Sequence, residues 1–349
     1  MKYKDEIFGV MPDGEKVHRL VLSNERGTEV AFLNFGLIIQ AIQINDKDGK
    51  KQDVVLGYDK LDQYLDNYPM FGATCGRVIN RISNAEFALC GKTYHLVRNR
   101  GRHNIHSDKL HGFHKVIWDY QVIDNSSIRF HYFSPDGECG FPSNLDMYIT
   151  YSLTENDTLI ASYRGDPDQM TVLNPSNHTY FNLNGQKDNT INDISFRICA
   201  HCFTPTDNDT IPTGEIKPVD GSDMDLQNFR TFADMIHSQD PQIVDHHGFD
   251  HNYAIDGCNF GVRQAASAYS SKTGIEISIY SDLPGLQFYT GQSLHNEFGK
   301  GGIEYGPYAG FCMEPQYFPN AINTDSFVKP IFSPSNPYKS TMIYIFNIR

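Results

Sequence analysis

Residue patterning predicts an all-β protein built as one large antiparallel β-sandwich, and three observations carry that prediction. Apolar and polar side chains alternate over residues 275–280 and 342–348, the period-two signature of strands with one buried face. Residues 145–153 and 159–163 flank Glu155-Asn156-Asp157, which reads as a hairpin. Helical periodicity is scarce, while 23 Phe and 20 Tyr stand against a single Trp. That aromatic content suits strands and also suits stacking on sugar rings.

Along the chain, residues 28–44 form a run rich in β-branched and aromatic residues broken at Gly36, read as two strands or one bent strand. Asp46-Lys47-Asp48-Gly49-Lys50 is a turn, and residues 53–58 resume the extended pattern. Residues 61–68 are expected to form a short helix. Residues 204–214 read as a loop dense in turn formers. No linker or fixed-period repeat divides the chain, so residues 1–349 are expected to form one domain.

The 349 residues, 40% of them hydrophobic, are ample for a large core. A net charge of −13 argues against nucleic acid or an anionic membrane as partner. Met1-Lys2-Tyr3-Lys4-Asp5-Glu6 leads into no long apolar run, so no signal peptide is expected. No segment reaches the ~20 apolar residues that span a bilayer. The seven cysteines are scattered without a disulfide pattern, which fits a reducing cytoplasm.

Two stretches carry the chemistry. Read as a strand, Leu173-Asn174-Pro175-Ser176-Asn177-His178-Thr179-Tyr180-Phe181-Asn182-Leu183 puts His178, Tyr180 and Asn182 on one face and Thr179, Phe181 and Leu183 on the other. A histidine there can exchange a proton near neutrality, or can sit in the core bonded to a carbonyl. Gly310-Phe311-Cys312-Met313-Glu314-Pro315-Gln316 alternates likewise, with Cys312, Glu314 and Gln316 opposite Phe311 and Met313. A carboxylate among apolar strand residues is rarely buried without a partner or a task.

Other groups are weighed beside these. Arg77 and Arg81, an even number of residues apart, would share a face on a regular strand. Each could hold a hydroxylated or anionic ligand, and one of the two is expected in an internal ion pair. His103, His106, His111 and His114 imitate a metal cluster, but their glycine-flanked surroundings read as loop rather than as a zinc site. Cys199 and Cys202 would point to opposite faces of a strand, so no redox role is expected. Residues 245–253 read as a binding loop in which Asp250 either accepts substrate hydrogen bonds or caps a turn. Gln287 and Tyr289 share a face, and the Gln287 amide suits sugar hydroxyls. No phosphate-cradling loop, nucleophile elbow or dinucleotide fingerprint occurs, so neither cofactor nor metal is expected.

Taken in order, these stretches resemble the aldose 1-epimerase (galactose mutarotase) family. The matching residues are Phe71-Gly72, Gly76-Arg77-Val78, Asn80-Arg81-Ile82, Asn104-Ile105-His106, Gly112-Phe113 and Trp118, then Asn177-His178-Thr179-Tyr180-Phe181-Asn182-Leu183. They continue through Thr204-Pro205, Ile211-Pro212-Thr213-Gly214, Gly248-Phe249-Asp250-His251-Asn252, Gln287-Phe288-Tyr289-Thr290-Gly291 and Gly310-Phe311-Cys312-Met313-Glu314. One departure stands out: the family usually has two glycines after the histidine corresponding to His106, where this chain has Ser107-Asp108. The resemblance implies a broad β-sandwich with an open cleft and a cofactor-free interconversion of α and β anomers of a monosaccharide such as galactose or glucose. It implies Glu314 as general base at the C1 hydroxyl and His178 as general acid at the ring oxygen. His106 would assist there, and Arg81, Asp250, Gln287 and Asn80 would hold the sugar. A monomer or homodimer is expected.

Ring opening needs one proton taken and one given, which a carboxylate and an imidazolium supply. With reference values of about 4.3 and about 6.5, proximity is expected to favour the charged form of both groups. The rivals are a non-catalytic sugar-binding sandwich, an epimerase of phosphorylated sugars, and a glycoside hydrolase using Asp250 with Glu314.

Overall fold

The computed structural model describes residues 1–257 and 261–349. Within them, a nine-stranded antiparallel sheet forms the broadest layer, ordered Asp119–Asp124, Ser127–Ser134, Leu145–Leu153, Thr158–Pro167, Tyr338–Ile348, Ile275–Ser281, Arg263–Ser270, Ile194–Ile198 and Arg230–Thr231. Its inward positions follow the sequence alternation: Leu145, Met147, Ile149, Tyr151 and Leu153 are buried while the residues between them are partly exposed. The expected 145–163 hairpin forms, with Leu153 opposite Leu159. Both clean alternating segments lie side by side at the centre of this sheet.

A five-stranded sheet comprises Lys2–Val10, Lys16–Ser23, Glu29–Leu33, Ile38–Asn45 and Lys51–Asp53. The 28–44 run is therefore two strands, and Gly36 turns between them at φ +65°. A side chain at Gly36 would meet the His114 carbonyl oxygen at 2.6 Å, so the close approach also requires glycine. A second five-stranded sheet runs Lys217–Pro218, Cys202–Thr204, Asp250–Ala254, Gly285–Tyr289 and Cys312–Gln316. One hydrophobic core joins all three sheets, from Phe32 through Tyr151 to Phe288, Phe311 and Met313. Burying each such side chain contributes about 1.5–3 kcal/mol. The all-β sandwich stands.

Several local expectations are corrected. The early helix is Leu61–Asp66, ended by Asn67 in the left-handed region rather than reaching Tyr68. The 53–58 run is mostly irregular, touching Phe181 through a single bridge at Val55. Residues 250–253 are strand, not loop, because Asp250–Ala254 pairs along its whole length with Gly285–Tyr289. Only Ser176–His178 of the 173–185 stretch is regular strand, paired with Ala73–Cys75. The segment beyond it is nonetheless buried and splits as the alternation predicts: Phe181 and Leu183 enter the main core, while Tyr180 joins a second cluster. No helix among the described residues is long and apolar enough to cross a membrane.

Candidate active site

The second five-stranded sheet floors a cleft, and its register explains which polar groups meet there. Gln287 lies directly between Asn252 and Glu314 across three strands, and Tyr289 lies between Asp250 and Cys312. On these strands residues two apart share a face, so Phe288 and Met313 go to the core as their neighbours line the cleft. The Ser176–His178 strand supplies His178, and the pairing of Arg81–Ile82 with Asn104–Ile105 brings Arg81 and His106 to the same cavity. Asn80, Arg81, His106, His178, Asp250, Gln287 and Glu314 all border one cavity of about 240 Å³. All seven sequence candidates thus share a single site.

Glu314 Oε1 sits 3.3 Å from His178 Nε2, and both residues are buried. Oε1 nonetheless has no aligned hydrogen-bond donor, and the Arg81 Nε is likewise buried without an acceptor. Unpaired buried polar atoms are costly, so a cavity lined by them is prepared for a hydroxylated guest. Asp250 is the hub of the opposite side. Its Oδ2 accepts from Arg81 at 2.8 Å and its Oδ1 from Gln287 Nε2 at 2.6 Å. Gln316 in turn donates to the Gln287 oxygen at 3.3 Å, and Arg81 reaches the Asn80 side-chain oxygen at 3.0 Å.

The expected charge state of the acid–base pair is overturned. Burial pushes Glu314 well above its usual range, with the Asp250 charge adding to it and Arg81 opposing. Burial pushes His178 down to about 4, against the opposing pull of its own backbone carbonyl and of Asp250. Desolvation therefore outweighs the mutual attraction expected from proximity. Burial thus favours the uncharged form of both groups, a protonated carboxyl beside a neutral imidazole.

His106 is placed by a reciprocal clamp. Its backbone donates to the Asn80 carbonyl at 2.9 Å, and its Nδ1 accepts from the Asn80 backbone at 3.2 Å. With Nδ1 accepting, the neutral ring carries its proton on Nε2. Burial, reinforced by His178 and Arg81, holds His106 well below the usual histidine range and so neutral. Its ring stands edge-on to His178 with centroids 5.2 Å apart. Asn80, His106 and Ser107 all adopt positive φ, at 63°, 52° and 64°. Ser107 thus takes a left-handed conformation that glycine adopts freely. Its hydroxyl compensates by accepting from the Val78 N–H at 2.9 Å and donating to the Val78 carbonyl at 3.0 Å.

The other sequence candidates separate. Arg77 does not share a face with Arg81, because residues 76–80 form no strand and Asn80 takes a positive φ. Its buried guanidinium donates to Ser134 Oγ at 2.8 Å and to the carbonyls of Ser134, Pro135 and Pro142 at 2.8–2.9 Å. Burial lowers it to about 10, opposed by Glu138. The arginine in an internal ion pair is Arg81, the same one that lines the cavity. The four clustered histidines also disperse: His103 contacts Asp209, His111 contacts Asp108, and His114 is buried and pushed to about 3 by burial. His178, Cys312 and Glu314 offer donor atoms within 4.8 Å of one another. Cys312 Sγ lies 3.6 Å from His178 Nδ1, and Glu314 Oε1 lies 3.3 Å from Nε2. Cys199 and Cys202 are free thiols. Missed from the sequence were the lining residues Tyr68, Arg100, Lys109, His295 and Glu297; the first four lie on irregular segments and Glu297 on a two-residue strand, too short for a periodic signal.

Comparison with known proteins finds a family, relatives and solved structures to which this chain is similar. A family profile described as aldose 1-epimerase matches residues 18–344. The chain is 37% identical to the galactose mutarotase of Homo sapiens, over 98% of each chain. It is 38% identical to that of Mus musculus over the same shares, and 28% identical to the aldose 1-epimerase of Escherichia coli over 98% of this chain and 99% of that one. A crystal structure of an aldose epimerase homologue from C. elegans superposes with a TM-score of 0.87 at 25% identity, covering 95% of this chain and 99% of that one. A galactose 1-epimerase structure from Lactobacillus acidophilus shares the fold at a TM-score of 0.85 and 24% identity, covering 100% of this chain and 99% of that one.

Proposed function

The chain belongs to the aldose 1-epimerase family, and on that premise we propose that it interconverts the α and β anomers of aldohexoses such as galactose and glucose by opening and reclosing the sugar ring. The observation that carries the mechanism is the buried, unpaired Glu314 carboxylate oxygen facing His178 Nε2 inside a polar cavity. Transfer of the carboxyl proton across that gap gives the reactive form, with Glu314 ionised and His178 protonated. Glu314 takes the proton of the C1 hydroxyl as the C1 carbonyl forms. The bond from C1 to the ring oxygen breaks, and His178 delivers its proton to that oxygen. Rotation about C1–C2 offers the other carbonyl face, and the reverse transfers close the ring. No electrons leave the sugar and no group is transferred, so the residues suffice without a cofactor or metal.

The remaining residues position the substrate. The His106 Nε2–H is a neutral donor beside His178, suited to the ring oxygen. Arg81, Asp250, Gln287 and Asn80 form the hydrogen-bonded arc that holds the hydroxyls, and Asp250 stays ionised because Arg81 offsets its burial. That state makes Asp250 a poor proton donor and weakens the hydrolase reading. Arg77 bound to carbonyls weakens the phosphosugar reading. The single core joining the three sheets supports a one-domain enzyme, and the free cysteines support a reducing cytoplasm.

Polarimetry tests the proposal. With fresh α-D-galactose or α-D-glucose, the protein should hasten the decay to the same final rotation. An unchanged decay across aldoses that still bind would leave only a sugar-binding protein.

A further inference from the structure

The charged groups that border the catalytic cavity do not balance. Arg81 is matched by Asp250 at 2.8 Å, burial favours the uncharged form of Glu314, and Glu297 Oε2 accepts from the Tyr58 hydroxyl at 2.7 Å. Lys109 and Arg100 line the same cavity, and among the described residues neither side chain is paired with a carboxylate. In a chain of net charge −13, two unmatched cations at a cleft reverse the local sign and draw an anionic guest. We propose that the cleft also takes hexuronates, sugars whose C6 is a carboxylate, with the Lys109 ammonium holding that carboxylate while the ring opens at Glu314 and His178. The inference rests on the anomer-interconverting reading above.

The sugar's own bonding says where such a charge is needed. With C1 at Glu314 and the ring oxygen at His178 and His106, C5 lies across that oxygen from C1, and C6 branches from C5. The C6 substituent is therefore directed past the His106 end of the cleft. Lys109 stands there, three residues beyond His106 in the chain; the His106 imidazole, held neutral first by burial, also feels its charge. The Lys109 Nζ is carried 4.8 Å from the centre of the Tyr68 ring, a cation–π contact that orients an ammonium without cancelling its charge. Asp108 is committed elsewhere: its Oδ1 accepts from the Leu110 backbone at 2.7 Å, and its Oδ2 lies 3.3 Å from His111 Nδ1. The Asp108 carbonyl accepts from the Gly112 N–H at 3.0 Å, so the turn that presents Lys109 is closed on itself and little ordering cost opposes binding. A carboxylate is about the size of the hydroxymethyl group it replaces, so a hexuronate needs no more of the cavity of about 240 Å³ than a hexose does. A phosphate ester would lengthen the C6 arm and bring a second charge, so the carboxylate is the better match for a single ammonium.

The test is polarimetry at neutral pH on α-D-galacturonate beside α-D-galactose, which has the same ring stereochemistry. At low ionic strength KM for galacturonate should lie about 3- to 10-fold below that for galactose, the yield of one partly exposed charge pair. Added salt should narrow the gap. Lys109→Met keeps the length of the side chain and removes its charge, so it should erase the gap while leaving galactose turnover unchanged; Lys109→Arg should retain the gap. Unchanged galactose turnover also establishes that the Met variant folds. The inference fails if galacturonate has no advantage in the wild type, if the advantage survives Lys109→Met, or if that variant slows galactose equally. A lower KM for glucose 6-phosphate than for glucuronate would overturn it too, by assigning the cation to phosphate. Absence of turnover on glucose and galactose alike would instead defeat the anomer-interconverting reading itself.

Discussion

Replacing Glu314 with Gln separates what its carboxyl group does for catalysis from what it costs the fold. The amide keeps the shape and the approach to His178 but cannot take a proton from the C1 hydroxyl. A positioned proton transfer contributes ~10²–10⁴-fold, so kcat should fall by that factor while KM moves only a few-fold. Stability should change in the other direction. Glu314 is 2% exposed, and burial raises its proton affinity well above the unfolded value. With the folded pKa raised, the native state binds the proton more tightly than the unfolded chain does. Wild-type stability therefore drops as pH climbs from near the unfolded value of about 4.3 toward the folded one, by about 1.4 kcal/mol for each pH unit climbed between the two. The Gln variant has no such titration. Its Tm relative to wild type should thus rise from pH 4 to pH 8, whatever offset the two have at pH 4. Polarimetry on α-D-galactose and thermal unfolding across that pH range read both effects. A variant with near wild-type kcat would remove Glu314 from the base role, and parallel Tm profiles would refute the burial argument.

Three further outcomes follow from neighbouring residues. His178→Asn should lose turnover and gain stability relative to wild type only at acid pH. Its folded value of about 4 lies below the unfolded ~6.5, so the wild type loses up to about 3 kcal/mol as pH falls through that window, which urea titration at pH 4 and pH 7 would measure. Asp250→Asn leaves the buried Arg81 guanidinium without its counter-charge; unfolding free energy should drop by about 3 kcal/mol, and KM should rise ~10-fold or more. Arg77→Lys should destabilise by about 3 kcal/mol in the same assay, because one ammonium cannot satisfy three carbonyls and a hydroxyl. Its KM should stay at the wild-type value, since Arg77 does not reach the cavity.

The pleat rule makes much of this site legible in advance. Cys312, Glu314 and Gln316 are separable from Phe311 and Met313 by alternation alone, as are Gln287 and Tyr289 from Phe288, because regular strands transmit side-chain direction faithfully. The same rule misdirects Arg77, since residues 76–80 leave the strand geometry, with Asn80 left-handed, and sequence gives weak notice of such a break. The Arg81–Asp250 contact joins residues 169 positions apart, a pairing that no local pattern encodes. His103 and His106 look alike in a dense cluster, yet one supports a surface loop and the other enters the cleft. Their separation depends on the fold of residues 99–112, where Asn99, Ser107 and Asp108 satisfy the backbone in place of regular structure.

Burial of the acid–base pair is what most alters the chemistry expected from sequence. Had mutual attraction prevailed, Glu314 would be a weak base and His178 a weak acid, both reluctant to exchange protons with a sugar. Desolvation reverses this: a carboxylate with raised proton affinity is a stronger base, and an imidazolium lowered to about 4 is a stronger acid. Both shifts favour the transfers that open the ring. After those transfers the carboxyl is protonated and the imidazole neutral, which is the state that burial prefers. The open-chain sugar is therefore held beside a pair in its most comfortable protonation state, and the cost falls on forming the charged pair beforehand. Separation of only 3.3 Å keeps that step a short proton hop, and the hydroxyls of an arriving sugar can solvate the charge on Glu314 Oε1, which no protein donor meets. The same desolvation that weakens the resting ion pair thus sharpens the acid and the base for ring opening.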